Sequence, residues 1–201
     1  MKPILILLIA LFSFSSLWAQ PSRNPAKIEV GASRLGAYVP VLKHKKVALV
    51  INQTSMVHDV ALLDTLLSLD IQITKIFTPE HGFRGSADAG AHIDNAVDTK
   101  TGLPIISLYG AHKEPTAKDF ENIDIVLFDL QDVGVRFYTY ISSLEYVMQA
   151  CVSNNKDLIV LDRPNPNGFY IDGPVLDTSF KSFVGMQPIP IVYGMTIRSE
   201  E

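Results

Sequence analysis

The chain has 201 residues, of which 47% are hydrophobic and 19% are charged, and its formal net charge is −4. This composition is typical of a globular protein with one sizeable core, and it excludes a low-complexity or disordered chain. No Lys/Arg block indicates nucleic-acid binding, and no basic amphipathic stretch indicates a membrane surface. The only cysteine, Cys151, cannot form an intrachain disulfide, and its place in a predicted helix favours a buried, inert thiol.

The N-terminus has the pattern of a secretory signal peptide. Lys2 precedes an apolar run from Ile4 to Phe12, and Ala19 supplies a small residue at a cleavage point. The apolar run is too short for a comfortable transmembrane helix. We therefore expect residues 1–19 to be removed and the mature protein to be periplasmic or secreted, without stable insertion in the membrane.

Residues 20–45 are polar or mixed, and we expect a lead-in segment there with one short helix. Beyond it, continuous apolar runs that end in polar residues are typical of buried parallel strands. The predicted strands are 46–52, 71–77, 104–109, 123–129 and 157–162, with a possible sixth, edge strand at 189–193 that contains Pro190. The predicted helices are 58–69, 116–122 with a Thr cap, and 140–153.

This alternation of strands and helices predicts an α/β fold. We expect residues 46–201 to form one Rossmann-like domain with a three-layer parallel sheet. The carboxyl ends of parallel strands lie at one edge of the sheet, where ligands bind in open α/β folds. Polar side chains at the ends of four predicted strands should therefore converge there.

The second predicted strand leads into the most informative turn, in which Glu80, His81 and Arg84 are interspersed with Gly82 and Gly85. Glycine lets the backbone turn sharply and approach a ligand closely. A solvated turn whose charges neutralise one another is the structural alternative. The other strand ends supply Asn52, Thr54, Asp129, Gln131, Asp132, Arg136, Tyr138, Tyr140, Asp162, Arg163, Asn165 and Asn167.

These residue types suit a polyhydroxylated or anionic small molecule. Amides and carboxylates bond hydroxyl groups, arginines grip carboxylate or phosphate, and tyrosine rings can stack on sugar faces. Each type also has a structural alternative: Asp162 with Arg163 as a local ion pair, Asn165 between two prolines as a turn former, and Tyr138 as a packing residue.

The motifs of several other enzyme classes are absent from the sequence. The turn after the first strand has no glycine, which disfavours dinucleotide binding. The sequence has no closely spaced pair of histidines for a metal and no Gly-x-Ser-x-Gly elbow. The sequence best supports acid–base catalysis by carboxylates, with Glu80, Asp132 and Asp162 as candidates. We expect neither a metal nor a cofactor.

Six motifs in this order resemble those of the NamZ-type exo-β-N-acetylmuramidases, a glycoside hydrolase family. They are Asn52-Gln53-Thr54, Pro79-Glu80-His81-Gly82-Phe83-Arg84-Gly85, Asp129-Leu130-Gln131-Asp132-Val133-Gly134 with Arg136 and Tyr138-Thr139-Tyr140, Asp162-Arg163-Pro164-Asn165-Pro166, Gly173-Pro174, and Tyr193-Gly194-Met195-Thr196. The resemblance implies an exported bacterial enzyme of cell-wall turnover that releases N-acetylmuramic acid from the non-reducing end of peptidoglycan fragments. Its partners would be peptidoglycan-derived saccharides, and its oligomeric state is left open.

The resemblance also implies roles for individual residues. Glu80 matches the glutamate proposed as catalytic in the family and would act as the general acid. The second catalytic group stays open between Asp132, Asp162 and the acetamido group of the substrate. The substrate-binding candidates are Asn52, Thr54, His81, Arg84, Arg136, Tyr138, Arg163 and Asn165, and any of the three arginines could hold the lactyl carboxylate.

After Thr196 the sequence departs from the family, which continues into a smaller C-terminal domain. We therefore expect that domain to be missing from this polypeptide. Two alternative functions follow from the sequence: a non-catalytic, sugar-binding remnant of such an enzyme, and a metal-dependent phosphohydrolase on a similar sheet.

Overall fold

The structure is a computed structural model that describes residues 28–79 and 96–200, without the side chains of residues 199 and 200. The predicted signal peptide, residues 1–19, lies outside the described residues. No helix in the described part of the chain is long and apolar enough to span a bilayer.

The described residues form eight strands and three α-helices. The strands are β1 (Val47–Ile51), β2 (Met56–Val57), β3 (Val60–Ala61), β4 (Ile73–Thr78), β5 (Ala96–Val97), β6 (Pro104–Ser107), β7 (Ile125–Asp129) and β8 (Asp157–Val160). The helices are α1 (Leu35–Leu42), α2 (Leu62–Ser68) and α3 (Tyr140–Ser153), and short 3-10 turns lie at Gly31–Ser33, Thr178–Phe180 and Ile197–Glu200.

Six of the strands form one mostly parallel sheet in the order β5-β6-β4-β1-β7-β8. All its pairings are parallel except the short pairing of β5 with β6. The chain moves from β1 outwards through β4 to β6, then crosses back to β7 and β8 on the other side of β1. The predicted α/β fold with a parallel sheet is confirmed. The antiparallel edge strand β5 was not predicted, because the sequence around it has no clear periodicity.

The sheet is buried on both faces because its strands alternate between two apolar clusters. Val47, Leu49 and Ile51 of β1 belong to the cluster that α1 and α2 cover. Ala48 and Val50 belong to the cluster that α3 covers. Fully burying a Leu or Ile side chain contributes about 1.5–3 kcal/mol, so these two faces stabilise the three-layer arrangement. The lead-in segment shares in this core through α1.

The predicted helix at 58–69 is wrong over its first four residues. Residues 56–61 form the hairpin of β2 and β3, in which His58 has a φ of 53°, and α2 begins only at Leu62. A residue in the left-handed conformation cannot continue a right-handed helix. The apolar residues of this stretch therefore belong to a hairpin and not to a helical turn.

The predicted helix at 116–122 and the predicted strand at 189–193 are also wrong. Residues 116–122 form turns with i→i−3 hydrogen bonds, and the Asp119 carboxylate accepts hydrogen bonds from both the N–H and the hydroxyl of Thr116. The Thr side chain therefore does not cap a helix. At 189–193, Pro190 has no N–H for a ladder, and only isolated bridges join Val192 to Val135 and Asp172.

Candidate functional site

The carboxyl ends of the parallel strands define the candidate site. Strand β1 lies between β4 and β7. The sheet extends from β1 through β4 and β6 on one side and through β7 and β8 on the other, so the topological switch point is at the carboxyl end of β1. Asn52 follows β1, Thr78 ends β4 and Asp129 ends β7. All three are buried. The described polar residues at the ends of β1, β4 and β7 thus lie at one edge of the sheet.

Glu80, His81 and Arg84 lie outside the described residues. The structure describes only the two residues that precede them, Thr78 and Pro79, which are buried at the end of β4. Their assigned roles stay predictions.

Asn52 organises the turn after β1. Its Oδ1 accepts hydrogen bonds from the N–H of Thr54 at 2.9 Å and from the Thr54 hydroxyl at 2.6 Å. Its Nδ2 donates to the Tyr140 hydroxyl at 2.9 Å, which ties β1 to the start of α3. Because buried polar atoms that are fully paired are rigid, Asn52 and Thr54 set the shape of this part of the edge.

Tyr138 stands next to this network. Its ring packs edge-to-face on Tyr140, with 4.8 Å between the ring centroids. The Tyr138 side chain is 38% exposed, so one part of the ring is held by protein and another part faces solvent. An aromatic ring in that position can stack on the apolar face of a sugar.

Asp129 and Arg163 form a buried ion pair between the ends of β7 and β8. Arg163 Nε donates to Asp129 Oδ1 at 2.6 Å, and Nη2 donates to Oδ2 at 2.8 Å. Burial raises the pKa of Asp129, and the hydrogen bonds and charge of Arg163 oppose that rise. The forked geometry commits two nitrogens of Arg163 to the protein, and removing one member of such a buried pair typically costs about 3–5 kcal/mol.

Asp132 lies three residues beyond the end of β7 and is 4% exposed. Its Oδ2 accepts hydrogen bonds from the N–H of Gly134 at 2.8 Å and from the Tyr193 hydroxyl. Its Oδ1 is buried without a hydrogen-bond partner in the part of the chain that the structure describes. Burial raises the pKa of Asp132, and the hydrogen bonds from Tyr193 and from the backbone of Gly134 and Val133 oppose the rise.

Asp162 has a different environment, half-buried just beyond β8. Its Oδ2 accepts a hydrogen bond from the Thr196 hydroxyl at 2.7 Å and lies 3.8 Å from Arg198 Nε. Its Oδ1 accepts from the N–H of Arg163 at 3.1 Å. Asp162 also borders a cavity of about 550 Å³ that Arg34, Thr196 and Arg198 help to line.

Arg136 holds the segment after β8 against the loop after β7, and Asn165 braces that segment internally. Asn165 Nδ2 donates to the carbonyl of Met195 at 2.8 Å, and its Oδ1 accepts from the N–H of Asn167 at the same distance. Arg136 Nη1 donates to the carbonyls of Ile189 at 2.5 Å and Pro174 at 3.1 Å. These contacts make both side chains part of the scaffold around Asp132.

Three residues were missing from the candidates that the sequence supplied. Tyr193 bonds Asp132, Thr196 bonds Asp162, and Gly134 both turns the chain and donates to Asp132. All three belong to motifs that carry the family resemblance, which was the available signal. Their separation from the carboxylates, 61 residues for Tyr193 and 34 for Thr196, hid the contacts.

The arrangement offers two carboxylates in contrasting surroundings at one sheet edge. Asp132 is buried without an ion pair among the described residues, whereas Asp162 is half-buried beside Arg198. Such contrast between neighbouring titratable groups is the usual basis for dividing acid and base roles. Within residues 28–79 and 96–198, no three His, Cys, Asp or Glu side chains lie together in a group that could hold a metal ion.

Comparison with known proteins agrees with the fold. Residues 47–199 match the family model described as exo-beta-N-acetylmuramidase NamZ, N-terminal. The chain is 42% identical, over 211 aligned positions, to the peptidoglycan beta-N-acetylmuramidase NamZ of Bacillus subtilis, covering 98% of this chain and 50% of that protein.

Two solved structures, both of DUF1343 family proteins from Bacteroides fragilis, are similar as well. One is 46% identical with a TM-score of 0.74 and the other is 38% identical with a TM-score of 0.76. Each comparison covers 84% of this chain, and 44% and 43% of the respective structures. The chain thus spans about half the length of the relatives that it matches. It belongs to the NamZ exo-β-N-acetylmuramidase family and corresponds to the N-terminal part of that family.

Proposed function

We propose that this protein is an exo-acting glycoside hydrolase that releases N-acetylmuramic acid from the non-reducing end of peptidoglycan fragments, in cell-wall turnover. The observation that carries the proposal is the extent of the family match. It runs from residue 47 to residue 199 and so includes every strand whose carboxyl end bears a candidate side chain. We also propose that residues 1–19 direct export and are then removed. A mass measurement of the mature protein that still includes residues 1–19 would contradict this proposal.

The proposed mechanism assigns Glu80 as the general acid, which protonates the departing glycosidic oxygen. Asp132 and Asp162 are the candidates for the second group, and their different burial and pairing suit different roles. The reaction proposed here requires no cofactor. Arg84, Arg136 and Arg163 are the predicted candidates for the lactyl carboxylate. Two nitrogens of Arg163 are bound to Asp129, and Nη1 of Arg136 is bound to two backbone carbonyls, so this proposal keeps Arg84 for that role. Tyr138 offers a ring for the sugar face.

The activity is tested with a chromogenic β-N-acetylmuramic acid glycoside and the matching N-acetylglucosamine glycoside. We expect release from the first substrate only. Glu80→Gln keeps the size of the side chain but removes the transferable proton, so its turnover should fall about 10²–10⁴-fold.

The matched control is Glu114→Gln, which changes an exposed glutamate away from the strand ends and should leave turnover unchanged. Full turnover by Glu80→Gln would exclude Glu80 as the acid. Equal release from both glycosides would contradict the proposed specificity.

Non-catalytic binding of the same saccharides, the alternative function named above, predicts a different result in this assay. Folded protein that binds N-acetylmuramic acid but releases no chromophore would establish this second function in place of the first. Calorimetry of the wild-type chain with the free sugar, run beside the hydrolysis assay, distinguishes the two.

A further inference from the structure

The turn that precedes helix α1 lies against the end of β8. This turn, Gly31–Ser33, belongs to the lead-in segment. The N–H of Gly31 donates to the carbonyl of Asp162 at 2.7 Å. The N–H of Leu161 donates to the carbonyl of Phe128 at 2.9 Å and so continues the pairing of β8 with β7. Asp162 is therefore the residue that follows the sheet directly, and the lead-in segment holds its carbonyl.

The close approach at this contact requires glycine at position 31. A Cβ atom built there would lie 2.7 Å from the nitrogen of Asp162, 2.8 Å from the carbonyl carbon of Leu161 and 2.9 Å from the carbonyl oxygen of Asp162. All three atoms belong to the backbone, which cannot rotate away as a flexible side chain can. Alanine at 31 would therefore push the turn and the backbone of residues 161–162 apart.

The turn is also anchored in the core. Ala32 is fully buried in the apolar cluster that α1 and α2 cover. Its carbonyl accepts a hydrogen bond from the hydroxyl of Tyr38 at 2.8 Å, and Tyr38 is 4% exposed. Because a close-packed core leaves the turn little room to retreat, a larger residue at 31 should displace the end of β8.

The residue that Gly31 holds is the more accessible of the two candidate aspartates. The side chain of Asp162 is 27% exposed and borders the cavity of about 550 Å³, whereas Asp132 is 4% exposed. The Asp162 carboxylate also has a fixed direction, since it accepts hydrogen bonds from the Thr196 hydroxyl and from the N–H of Arg163. Gly31 fixes the backbone of the same residue, so both parts of Asp162 are held in place.

We infer that Gly31 is a positioning residue for the proposed reaction and that it acts through Asp162, the second catalytic group. The inference rests on the proposed function, because Asp162 matters in this way only for an enzyme. Catalytic groups must be placed closely, and a displacement of about 1 Å can cost about 100-fold in rate. The lead-in segment, which lies outside the residues 47–199 that match the family model, thereby becomes part of the functional site.

The first test compares two glycine-to-alanine changes in the lead-in segment. Gly31→Ala should lower turnover of the chromogenic β-N-acetylmuramic acid glycoside about 10- to 100-fold. Gly36→Ala is the matched control, because Gly36 lies in α1 and a Cβ atom there would meet nothing within 4 Å. It should keep wild-type turnover. Each variant is assayed below its own unfolding transition, measured by circular dichroism, so that folded proteins are compared.

A double-mutant cycle shows whether Gly31 acts through Asp162. Asp162→Asn should by itself lower turnover about 10²–10⁴-fold, the usual contribution of a general acid–base group. Adding Gly31→Ala to Asp162→Asn should then change turnover by no more than about twofold, because the group that Gly31 positions no longer acts. A change that merely loosens the fold would instead lower turnover by the same factor in both backgrounds.

Tyr38→Phe provides the same test without added bulk. It removes the hydroxyl that anchors the carbonyl of Ala32 and so loosens the turn that contains Gly31. We expect it to lower turnover by a smaller factor than Gly31→Ala, and only while Asp162 is present. Tyr38→Phe therefore decides the question if Gly31→Ala does not fold.

Three results would overturn this inference and leave the proposed function standing. They are wild-type turnover in folded Gly31→Ala, equal losses with and without Asp162 for either lead-in variant, and full turnover in Asp162→Asn. A wild-type chain that releases no chromophore would overturn the proposed function and this inference together.

Discussion

Gly134 shows how a single backbone position shapes the candidate site. Its φ is +71°, a left-handed conformation that glycine adopts at no steric cost. A Cβ atom built on it would lie 2.1 Å from Nδ2 of Asn165, whose side chain fills that space. Since the N–H of Gly134 also bonds Asp132, the absence of a side chain at 134 lets Asn165 and Asp132 both keep their places.

Gly134→Ala should therefore destabilise the fold more than Gly102→Ala. Gly102 has nearly the same φ, +73°, but a Cβ there would meet nothing within 4 Å. Both variants carry the strain of alanine in a left-handed conformation, about 1–2 kcal/mol, and only Gly134→Ala adds crowding, which typically costs about 1–3 kcal/mol more.

Urea unfolding of the two variants and the wild type measures the difference. Because the backbone strain is shared, the excess loss in Gly134→Ala reports the contact with Asn165. Equal free energies of unfolding for the two variants would show that the Asn165 side chain moves aside freely.

The sequence predicted which residues gather at the edge better than it predicted what each one contacts. Asn52, Asp132 and Asp162 lie at strand ends as expected, because apolar runs marked the strands. The pairing of Arg163 with Asp129 could not be predicted, because the two residues are 34 apart and meet only through the parallel pairing of β7 with β8. The turn-forming alternative for Asn165 describes its observed contacts, since both its polar groups bond the backbone.

The length of a predicted helix decided how accurately the sequence predicted it. Helix α3 runs over 140–153 as predicted, because 14 residues contain enough turns for the apolar period to be distinct. The stretches at 58–69 and 116–122 mislead because local contacts decide them: a left-handed His58 in one and the Asp119 carboxylate in the other. A run of seven residues, such as 116–122, is too short to overrule such contacts.

Helix α3 should also carry much of the stability of the face that it covers. Leu144 is 2% exposed within the apolar cluster, whereas Val152, on the same helix, is 82% exposed. Leu144→Ala removes buried methyl groups and leaves a cavity, so we expect a loss of about 2–5 kcal/mol in the free energy of unfolding.

Val152→Ala is the control within the same helix, and surface substitutions of this kind usually stay within about 0.5 kcal/mol. Denaturant unfolding of both variants provides the comparison. A small effect of Leu144→Ala, similar to that of Val152→Ala, would contradict the packing of α3 on this face.

At the scale of the whole molecule, the two ends of the sheet have different characters. The amino ends of the strands carry ordinary surface contacts, such as Lys45 with Asp157 at 3.4 Å and the N–H of Lys46 with Asp124 at 2.8 Å. The carboxyl ends carry buried polar networks around Asn52, Asp129 and Asp132. Polar groups are costly to bury unless they are hydrogen-bonded, as those at the carboxyl ends largely are. Because ligands bind at the carboxyl ends of the strands in open α/β sheets, this asymmetry indicates the ligand-binding edge.

The central claim is that this carboxyl edge binds a muramic acid saccharide. It is tested most directly by mapping backbone amide chemical shifts by NMR while the wild-type chain is titrated with N-acetylmuramic acid. The largest changes should fall at residues 52–54, 131–138 and 162–165, with none at Lys46, Asp124 or Asp157. Changes centred on the amino edge, or no changes at saturating sugar, would contradict the claim.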